Sequence, residues 1–250
     1  MPQPLVNILD LKKHYPRRNG LCNKSKEPVR AVDGVDLQIF PGETVALIGE
    51  SGSGKTTLAH CLFRIVEPTG GKIYFKGKEV GALEGENLQR FRRQAQFIFQ
   101  DAEAALDPRQ TIGSAVAEPL IAHGLLEKKS AQDRARELLQ QVGLGERHAN
   151  SLPRELSSGQ RHRAVIARAL ALQPNFIAAD EPFSSLDVLA KSRLLDLFRS
   201  LQQQFELTSL IISHDLALVR KWCDRVITMR AGRIVDGGVG LAKTQGLRKV

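Results

Sequence analysis

The chain has 250 residues, of which 42% are apolar, and its 36 Lys and Arg residues outnumber its 27 Asp and Glu residues. This length and apolar content allow a large hydrophobic core and exclude a disordered tail protein. The longest segment without Asp, Glu, Lys or Arg is 169–179, well short of the ~20 apolar residues of a membrane-spanning helix. Residues 1–9 show no secretory-signal pattern. Cysteines Cys22, Cys61 and Cys223 include no CxxC pair, which predicts free thiols in a soluble intracellular protein.

The net charge of +9 fits nucleic acid, an anionic membrane surface or nucleotide phosphates as partners. It fits equally well with basic side chains spread over solvated faces. The basic clusters at 90–93 and 161–163 are short and mixed with other residue types. The charge alone therefore identifies no partner.

The first part of the chain predicts mainly strands. Val35–Ile39 alternates apolar and polar residues, as in a half-exposed strand, and Pro41–Glu43 reads as a turn. The apolar run Thr44–Ile48 predicts a strand covered on both faces. A helical pattern follows at Thr57–Phe63, and Ile73–Phe75 predicts a further short strand.

The character of the sequence changes at about 106–156, where Lys129–Val142 predicts an amphipathic helix. Two more apolar strands follow, Phe176–Ala179 and Ser209–Ile212, with the helix Val188–Gln204 between them. Buried strands that alternate with helices predict a mostly parallel sheet covered by helices. The sequence thus predicts an α/β core interrupted by a helical insertion. The apolar face of the insertion's helix is predicted to contain Ala131, Ala135, Leu138, Leu139 and Val142.

A glycine-rich loop follows the strand Thr44–Ile48, and its residues 49–56 match the pattern GxxxxGK[ST] in full. Its glycines let successive N–H groups turn toward phosphate oxygens, and the helix that follows adds positive potential. Lys55 supplies a positive charge for the β- and γ-phosphates, and the Thr56 hydroxyl suits Mg²⁺. The residues predicted to bind ATP here are Gly49, Glu50, Ser51, Gly52, Ser53, Gly54, Lys55, Thr56 and Thr57.

The strand Phe176–Ala179 ends in the carboxylates Asp180 and Glu181. One carboxylate at such a position can contribute to the shell of a metal ion, while the next orients or deprotonates an attacking water. An acidic pair that caps a helix is the alternative interpretation, and the phosphate loop weighs against it.

Several further motifs carry a resemblance to the ATP-binding cassette (ABC) family. Residues 156–160, Leu-Ser-Ser-Gly-Gln, are similar to its LSGGQ signature, and 180–182 resembles its Walker B ending. Residues 184–187 resemble the D-loop, Gln100 the Q-loop glutamine and His214 the switch histidine. The order and spacing of these motifs match the family from Val6 to Asp236, nearly the whole chain.

The resemblance implies an α/β fold, the ABC-type P-loop NTPase core with a mostly parallel sheet and an antiparallel β portion near the N-terminus. It implies one ATP-binding domain at 1–240, with a helical subdomain inserted at about 101–160. A C-terminal tail would occupy 241–250.

The resemblance also implies roles for single residues. Two such domains would enclose two ATP molecules head to tail, with Mg²⁺ as cofactor. Glu181 would act as general base, and Gln100 and His214 would be the other catalytic residues. Mg²⁺ would be held by Thr56, Gln100 and Asp180. Tyr15, placed before the first strands, would stack on adenine. The ATP of the partner subunit would meet Ser157, Ser158, Gly159, Gln160 and Asp187, together with the N-terminus of a helix expected after Gln160.

Two features depart from the family pattern. Ser158 occupies the position of the first glycine of the signature, where its Cβ can crowd the partner's phosphate or its hydroxyl can contact it. Ala178 and Ala179 are smaller than the usual aliphatic residues of that strand, which concerns packing more than chemistry. All the predicted catalytic groups are present, so the sequence predicts a competent ATPase.

The oligopeptide/dipeptide/nickel importer group is the part of the family that the chain resembles most, in particular its nickel-type or second peptide-type ATPase. That likeness implies a second ATPase subunit. A different chain is the leading expectation for this subunit, and a homodimer is the next. It also implies two membrane permease subunits, an indirect solute-binding protein and a peripheral location at the cytoplasmic face of the inner membrane. The cargo would be peptides or nickel and other metal chelates, and no specific nucleic acid is expected. The segments that carry the likeness are 99–109, 118–120, 202–205 and 213–219.

Two alternatives remain from the sequence. One is a nucleic-acid-associated ABC ATPase, which only the basic charge favours. The other is a poorly hydrolysing regulatory cassette.

Overall fold

A computed structural model describes residues 3–16, 27–101, 104–182 and 186–237 of the chain. The described residues fall into two compact units, one of residues up to Leu83 together with those from Leu210 onward, and one of Glu84–Ser209. The strands in chain order are β1 (Val6–Tyr15), β2 (Val29–Ile39), β3 (Thr44–Ile48), β4 (Gly70–Phe75), β5 (Lys78–Glu79), β6 (Ala95–Ile98), β7 (Phe176–Asp180), β8 (Thr208–Ile212), β9 (Arg225–Arg230) and β10 (Arg233–Asp236). The α-helices are α1 (Lys55–Leu62), α2 (Gly85–Gln94), α3 (Ile112–Ala122), α4 (Lys128–Gln141), α5 (Glu146–Ala149), α6 (Ser158–Leu170), α7 (Val188–Gln204) and α8 (Leu216–Trp222).

The first unit contains an antiparallel sheet with the strand order β2-β1-β4-β5. On β1, the side chains of Val6 and Ile8 are fully buried, as the two-residue period of a strand requires. The register then shifts between Leu9 and Lys12, and Asp10 has a positive φ of 44°. This bulge returns Leu11 to the buried face.

The first unit also contains β3 and β9, which pair in parallel, from Val45 opposite Arg225 to Ile48 opposite Thr228. Strand β9 pairs in turn with β10 in the antiparallel direction. The side chains of β3 are buried along nearly the whole strand, which explains why the sequence shows an unbroken apolar run there. At the end of β8, the Ser213 N–H donates to the Leu47 carbonyl at 3.2 Å.

In the second unit, β6 and β7 pair in parallel, from Ala95 opposite Phe176 to Ile98 opposite Ala179. Helices α3, α4 and α6 pack against one another. Helix α4 confirms the predicted amphipathic helix, since the residues assigned to its apolar face are all buried. These are Ala131, Ala135, Leu138, Leu139 and Val142.

The mixed sheets and the helices confirm the predicted α/β fold class. Within the described residues, each helix is too short or too polar to span a lipid bilayer. The tail at 241–250 and Cys22 lie outside the described residues. The single domain at 1–240 and the helical insertion at about 101–160 stay predictions.

The two described cysteines are buried and free. Burial raises the pKa of the Cys61 thiol to about 11. Burial, with the nearby Asp224 carboxylate, raises the pKa of Cys223 to about 12. Thiolate is the reactive form of cysteine, so the raised pKa lowers the reactivity of both thiols. Their burial also keeps reagents in solution away from them.

We therefore expect iodoacetamide at pH 8 to alkylate Cys61 about 100-fold and Cys223 about 1,000-fold more slowly in the native protein than in the unfolded chain, because each unit by which burial raises the pKa lowers the thiolate concentration about tenfold. Mass spectrometry of the tryptic peptides over time measures both rates. Equal rates in buffer and in urea would contradict the buried positions of these thiols.

Candidate nucleotide-binding site

The phosphate loop, residues 49–54, joins the end of β3 to the start of α1. Gly49, Gly52 and Gly54 have positive φ angles of 152°, 78° and 105°. A Cβ on Gly54 would overlap the carbonyl oxygen of Ala31, and a Cβ on Gly49 would overlap that of Met229. At these two positions only glycine fits, because the backbones of neighbouring strands lie too close for a side chain.

The loop presents several backbone N–H groups. The Ser53 N–H donates to the Glu50 carbonyl at 3.1 Å. In the described part of the chain, the N–H groups of Gly52, Gly54 and Lys55 meet no acceptor. N–H groups at the start of a helix combine with the helix dipole to favour an anion, so the loop is suited to bind phosphate.

Lys55 lies inside this loop and is only 7% exposed. Its Nζ donates to the carbonyls of Gly49 at 2.9 Å and Glu50 at 2.8 Å, and to Ser53 Oγ at 3.3 Å. No carboxylate of the described residues lies within ion-pair distance of this ammonium group. A nearly buried cation balanced only by neutral oxygens favours a bound anion.

Tyr15 and His214 are further predicted site residues of the first unit. Tyr15 is the last residue of β1, paired with Val29, so the expectation that it precedes the first strands is wrong. The apolar–polar pattern of the sequence around it was too weak to show that β1 extends this far. Tyr15 is 38% exposed, and Lys13 Nζ lies 5.0 Å from the centroid of its ring. His214 is exposed two residues after β8, next to Ser213, whose Oγ accepts from the Asp215 N–H.

The second unit carries the predicted carboxylates at the end of β7. All five residues of this strand are buried, and Asp180, its last residue, is 4% exposed. Glu181 follows with a φ of 44°, in the left-handed region that non-glycine residues rarely adopt. Such strain concentrates at functional positions, which agrees with a special role for this carboxylate.

The signature residues form the start of α6, which begins at Ser158. Ser157 is its N-cap: its Oγ accepts from the Gln160 N–H at 3.3 Å, while the Ser157 N–H donates to Gln160 Oε1 at 2.9 Å. The expectation that this helix begins after Gln160 is wrong, because the reciprocal capping box starts the helix three residues earlier. A Cβ at Gly159 would meet no atom within 4 Å.

His148 supports the signature and was missed by sequence reasoning. Gln160 Nε2 lies 3.2 Å from His148 Nε2. Because Gln160 Oε1 accepts from Ser157, its amide nitrogen is the donor to the imidazole. No local pattern indicates this contact, since the two residues belong to different helices.

Gln100 and Asp187 complete the predicted set. Gln100 is exposed two residues after β6. Asp187 caps α7, and its Oδ1 accepts from the Ala190 N–H at 2.8 Å. Residues 184 and 185 of the predicted D-loop lie outside the described residues. The structure thus places Tyr15, the phosphate loop and His214 in the first unit, and Gln100, the signature, Asp180, Glu181 and Asp187 in the second.

The donor chemistry fits magnesium bound together with phosphates. The Thr56 hydroxyl and the Asp180 carboxylate are hard oxygen ligands of the type that Mg²⁺ prefers. Among the described residues, no group of three or more His, Cys, Asp or Glu side chains can hold a metal ion. A magnesium site with few protein ligands is the usual case when phosphate oxygens complete its shell.

The comparisons with known proteins decide the family. The family model described as ABC transporter matches residues 32–184. The chain belongs to the ABC transporter family. This confirms both the resemblance inferred from the motifs and the predicted ABC-type P-loop fold, and it makes the chain an ATP-binding cassette of the class that hydrolyses ATP.

Among curated proteins, this cassette is 47% identical over 236 residues to the glutathione import ATP-binding protein GsiA of Escherichia coli strain K12. The same identity and length hold for GsiA of Shigella boydii serotype 4. The match covers 94% of this chain and 38% of each relative, so the chain spans well under half the length of these relatives.

Among solved structures, the cassette resembles MJ0796 in a dimeric post-hydrolysis state bound to ADP and Pi, with a TM-score of 0.80 and 30% identity. That match covers 97% of this chain and 100% of the other. CbiO1 from Clostridium perfringens, part of the complex cbiONQ, gives a TM-score of 0.79 at 26% identity, covering 93% and 87% of the two chains.

The close packing at Gly54 gives a direct test of the phosphate loop. We expect Gly54→Ala to weaken binding of a fluorescent ATP analogue by more than about tenfold, because the new Cβ displaces the loop from the Ala31 carbonyl. Gly124→Ala is the matched control: its φ is also positive, at 64°, but its Cβ would meet no atom within 4 Å. If both variants bind the analogue as the wild type does, the loop does not require its glycine.

Proposed function

We propose that this cassette is the ATP-hydrolysing subunit of an importer, in which ATP binding closes and hydrolysis reopens a two-subunit ATPase. The observation that carries the proposal is the phosphate loop around the buried, carboxylate-free Lys55, in a chain 47% identical to an import ATP-binding protein. The partner, the permeases and the cargo belong to the proposal, since the chain spans 38% of that relative.

The residues of the first unit bind the triphosphate. Lys55 and the N–H groups of Gly52 and Gly54 offer positive charge and donors to the phosphate oxygens. The exposed ring of Tyr15 stacks on adenine, a contact that contributes on the order of 1–3 kcal/mol where it forms. His214 contacts the γ-phosphate, an interaction that its exposed position after β8 permits.

The residues of the second unit act on the attacking water. Glu181 is the general base, and Gln100 would contact both the water and a bound Mg²⁺. Gln100 and Asp180, with Thr56 of the first unit, would hold Mg²⁺, which would neutralise charge on the phosphates. The left-handed backbone of Glu181 supports this assignment, since strained backbone conformations concentrate at functional positions.

The signature acts on the nucleotide of a second subunit. Ser157, Ser158, Gly159 and Gln160 bring the N-terminus of α6 to that nucleotide's γ-phosphate, where the helix dipole favours an anion. Asp187 contributes from the start of α7. The dimeric state of MJ0796, bound to ADP and Pi, supports a dimer as the working unit. The partner we propose first is a different cassette chain, and the alternative is a second copy of this chain.

The cargo we propose is a short peptide, taken up through two permease subunits supplied by a solute-binding protein, with a nickel or other metal chelate as the second cargo class. The identity to glutathione import proteins supports the peptide. In this arrangement the cassette lies at the cytoplasmic face of the inner membrane, as a peripheral subunit.

Removing the proposed base tests the mechanism. We expect Glu181→Gln to lower phosphate release at least about 100-fold while the ATP-bound dimer accumulates, because the amide keeps the shape but cannot take a proton. Phosphate release is measured by colorimetric assay and dimerisation by light scattering, both with the partner cassette. Lys55→Ala serves as the control that loses nucleotide binding as well. Hydrolysis at the wild-type rate by Glu181→Gln would remove Glu181 from the role of base.

Uptake in cells tests the proposed role. A strain lacking this gene should lose uptake of radiolabelled glutathione or a related short peptide, and the wild-type gene should restore it while Glu181→Gln should not. Unchanged peptide uptake, together with loss of nickel uptake, would move the cargo to metal chelates. Unchanged uptake of both would reject the importer, and tight, steeply salt-dependent binding of duplex DNA would then favour the nucleic-acid-associated class.

A further inference from the structure

The turn between β9 and β10 lies against the phosphate loop. Its two central residues, Ala231 and Gly232, have φ angles of 47° and 81°, as in the two-residue turns that close β-hairpins. The Gly232 N–H donates to the Ser53 carbonyl at 3.0 Å. Gly232, 179 positions after Ser53, thus contacts the loop through a hydrogen bond between main-chain groups.

The direction of this hydrogen bond matters for phosphate binding. The Ser53 carbonyl and the Gly54 N–H belong to one planar trans peptide unit, so they point in opposite directions. When the Gly232 N–H holds the carbonyl, the Gly54 N–H is turned to the opposite side. In the described residues this N–H meets no acceptor, so it is available to a phosphate oxygen.

The same turn is tied to β2. The Asp33 N–H donates to the Gly232 carbonyl at 2.9 Å, and a Cβ on Gly232 would lie 2.6 Å from the Arg30 carbonyl oxygen. Gly232 therefore links β2 to the phosphate loop through its two peptide groups. Its position depends on whatever holds the turn against β2.

The Asp33 carboxylate holds the turn through the side chain of Arg233, the residue directly after Gly232. Arg233 donates to Asp33 Oδ2 from Nη2 at 2.7 Å and from Nε at 3.2 Å. His14 Nε2 lies 3.1 Å from Asp33 Oδ1, and Arg30 Nη1 lies 3.7 Å from Oδ2. The hydrogen bond from Arg233, with the one from His14 and the charges of Arg233 and Arg30, lowers the pKa of Asp33, so the carboxylate is ionised at neutral pH.

We propose that Asp33 and Arg233 are positioning residues for nucleotide binding: their ion pair fixes the Ala231–Gly232 turn, and the turn orients the Ser53–Gly54 peptide toward phosphate. The inference rests on the ATP-binding part of the proposed function. Neither side chain belongs to the predicted nucleotide contacts, so both act through Gly232.

The first variant is Arg233→Met, because the Arg233 side chain is 65% exposed and its loss leaves the core intact. Binding of Mg²⁺ with a fluorescent ATP analogue to the full chain should weaken about three- to tenfold, the range for a partly exposed coupled contact. Hydrogen exchange should quicken in the peptides that contain Ser53 and Gly232.

Asp33→Ala separates positioning from simple charge attraction. This variant removes a negative charge and Arg233→Met removes a positive one, so their long-range effects on an anionic nucleotide have opposite signs. If the ion pair positions the loop, both single variants weaken nucleotide binding. The double variant then binds the nucleotide no more weakly than the single variant with the larger loss of affinity. Asp33→Asn, which keeps the side-chain shape, replaces Asp33→Ala if the latter does not fold.

Arg225→Met is the matched control. Arg225 starts β9, the strand that leads to the turn, and its Nε lies 2.7 Å from Glu43 Oε1, so the same substitution breaks a comparable ion pair at the other end of the strand. Its loss should lower the midpoint of thermal unfolding and leave nucleotide affinity unchanged.

Three results would overturn the inference: affinity within twofold of the wild type for both pair variants, changes of opposite sign, or an equal loss in Arg225→Met. A wild-type chain that does not bind the analogue at all would instead reject the proposed function, which keeps the two failures distinct.

Discussion

The peptide unit between Ser53 and Gly54 is the point on which the phosphate loop depends. Its carbonyl is held by the Gly232 N–H, and its Gly54 side packs so closely on the Ala31 carbonyl that a methyl group would not fit. The loop is therefore shaped by the backbones of β2 and of the β9–β10 turn as much as by its own residues. A cradle made of main-chain atoms is rigid and keeps its N–H groups aligned before any anion arrives, so little ordering is left for binding to require.

Electrostatics give this cradle its preference for phosphate. Lys55 is buried among carbonyl oxygens and lacks a carboxylate partner in the described residues, so an incoming anion relieves an unbalanced charge. The second unit repeats the device in another form, because the capping box of Ser157 and Gln160 starts a helix at Ser158. Helix N-termini of this kind bind anions through the same combination of N–H groups and dipole. Both motifs of the ABC cassette thus rest on one physical principle.

Local sequence patterns predicted much of this arrangement. The apolar run of β3, the amphipathic face of α4 and the glycine pattern of the phosphate loop each lie within a few residues, where strand and helix periodicity decide the outcome. The register of β1 was beyond such reasoning, since its bulge at Asp10 depends on pairing with two other strands. The start of α6 was misplaced although Ser157 and Gln160 have the Ser-x-x-Gln spacing of a capping box, a local signal that was overlooked in favour of the likeness to the signature motif.

The sequence by itself determined the candidate chemistry of the chain: a glycine-rich loop suited to phosphate, carboxylates that follow a buried strand, and the motifs of one family. Only the tertiary structure decided what holds them. The contact of Gly232 with Ser53, the ion pair of Asp33 with Arg233 and the support of Gln160 by His148 join residues far apart in the chain. Motifs of neighbouring residues are visible in the sequence because one local conformation favours particular residue types at fixed spacings. Contacts between distant elements arise from the packing of the whole sheet, and a single sequence carries no local record of them.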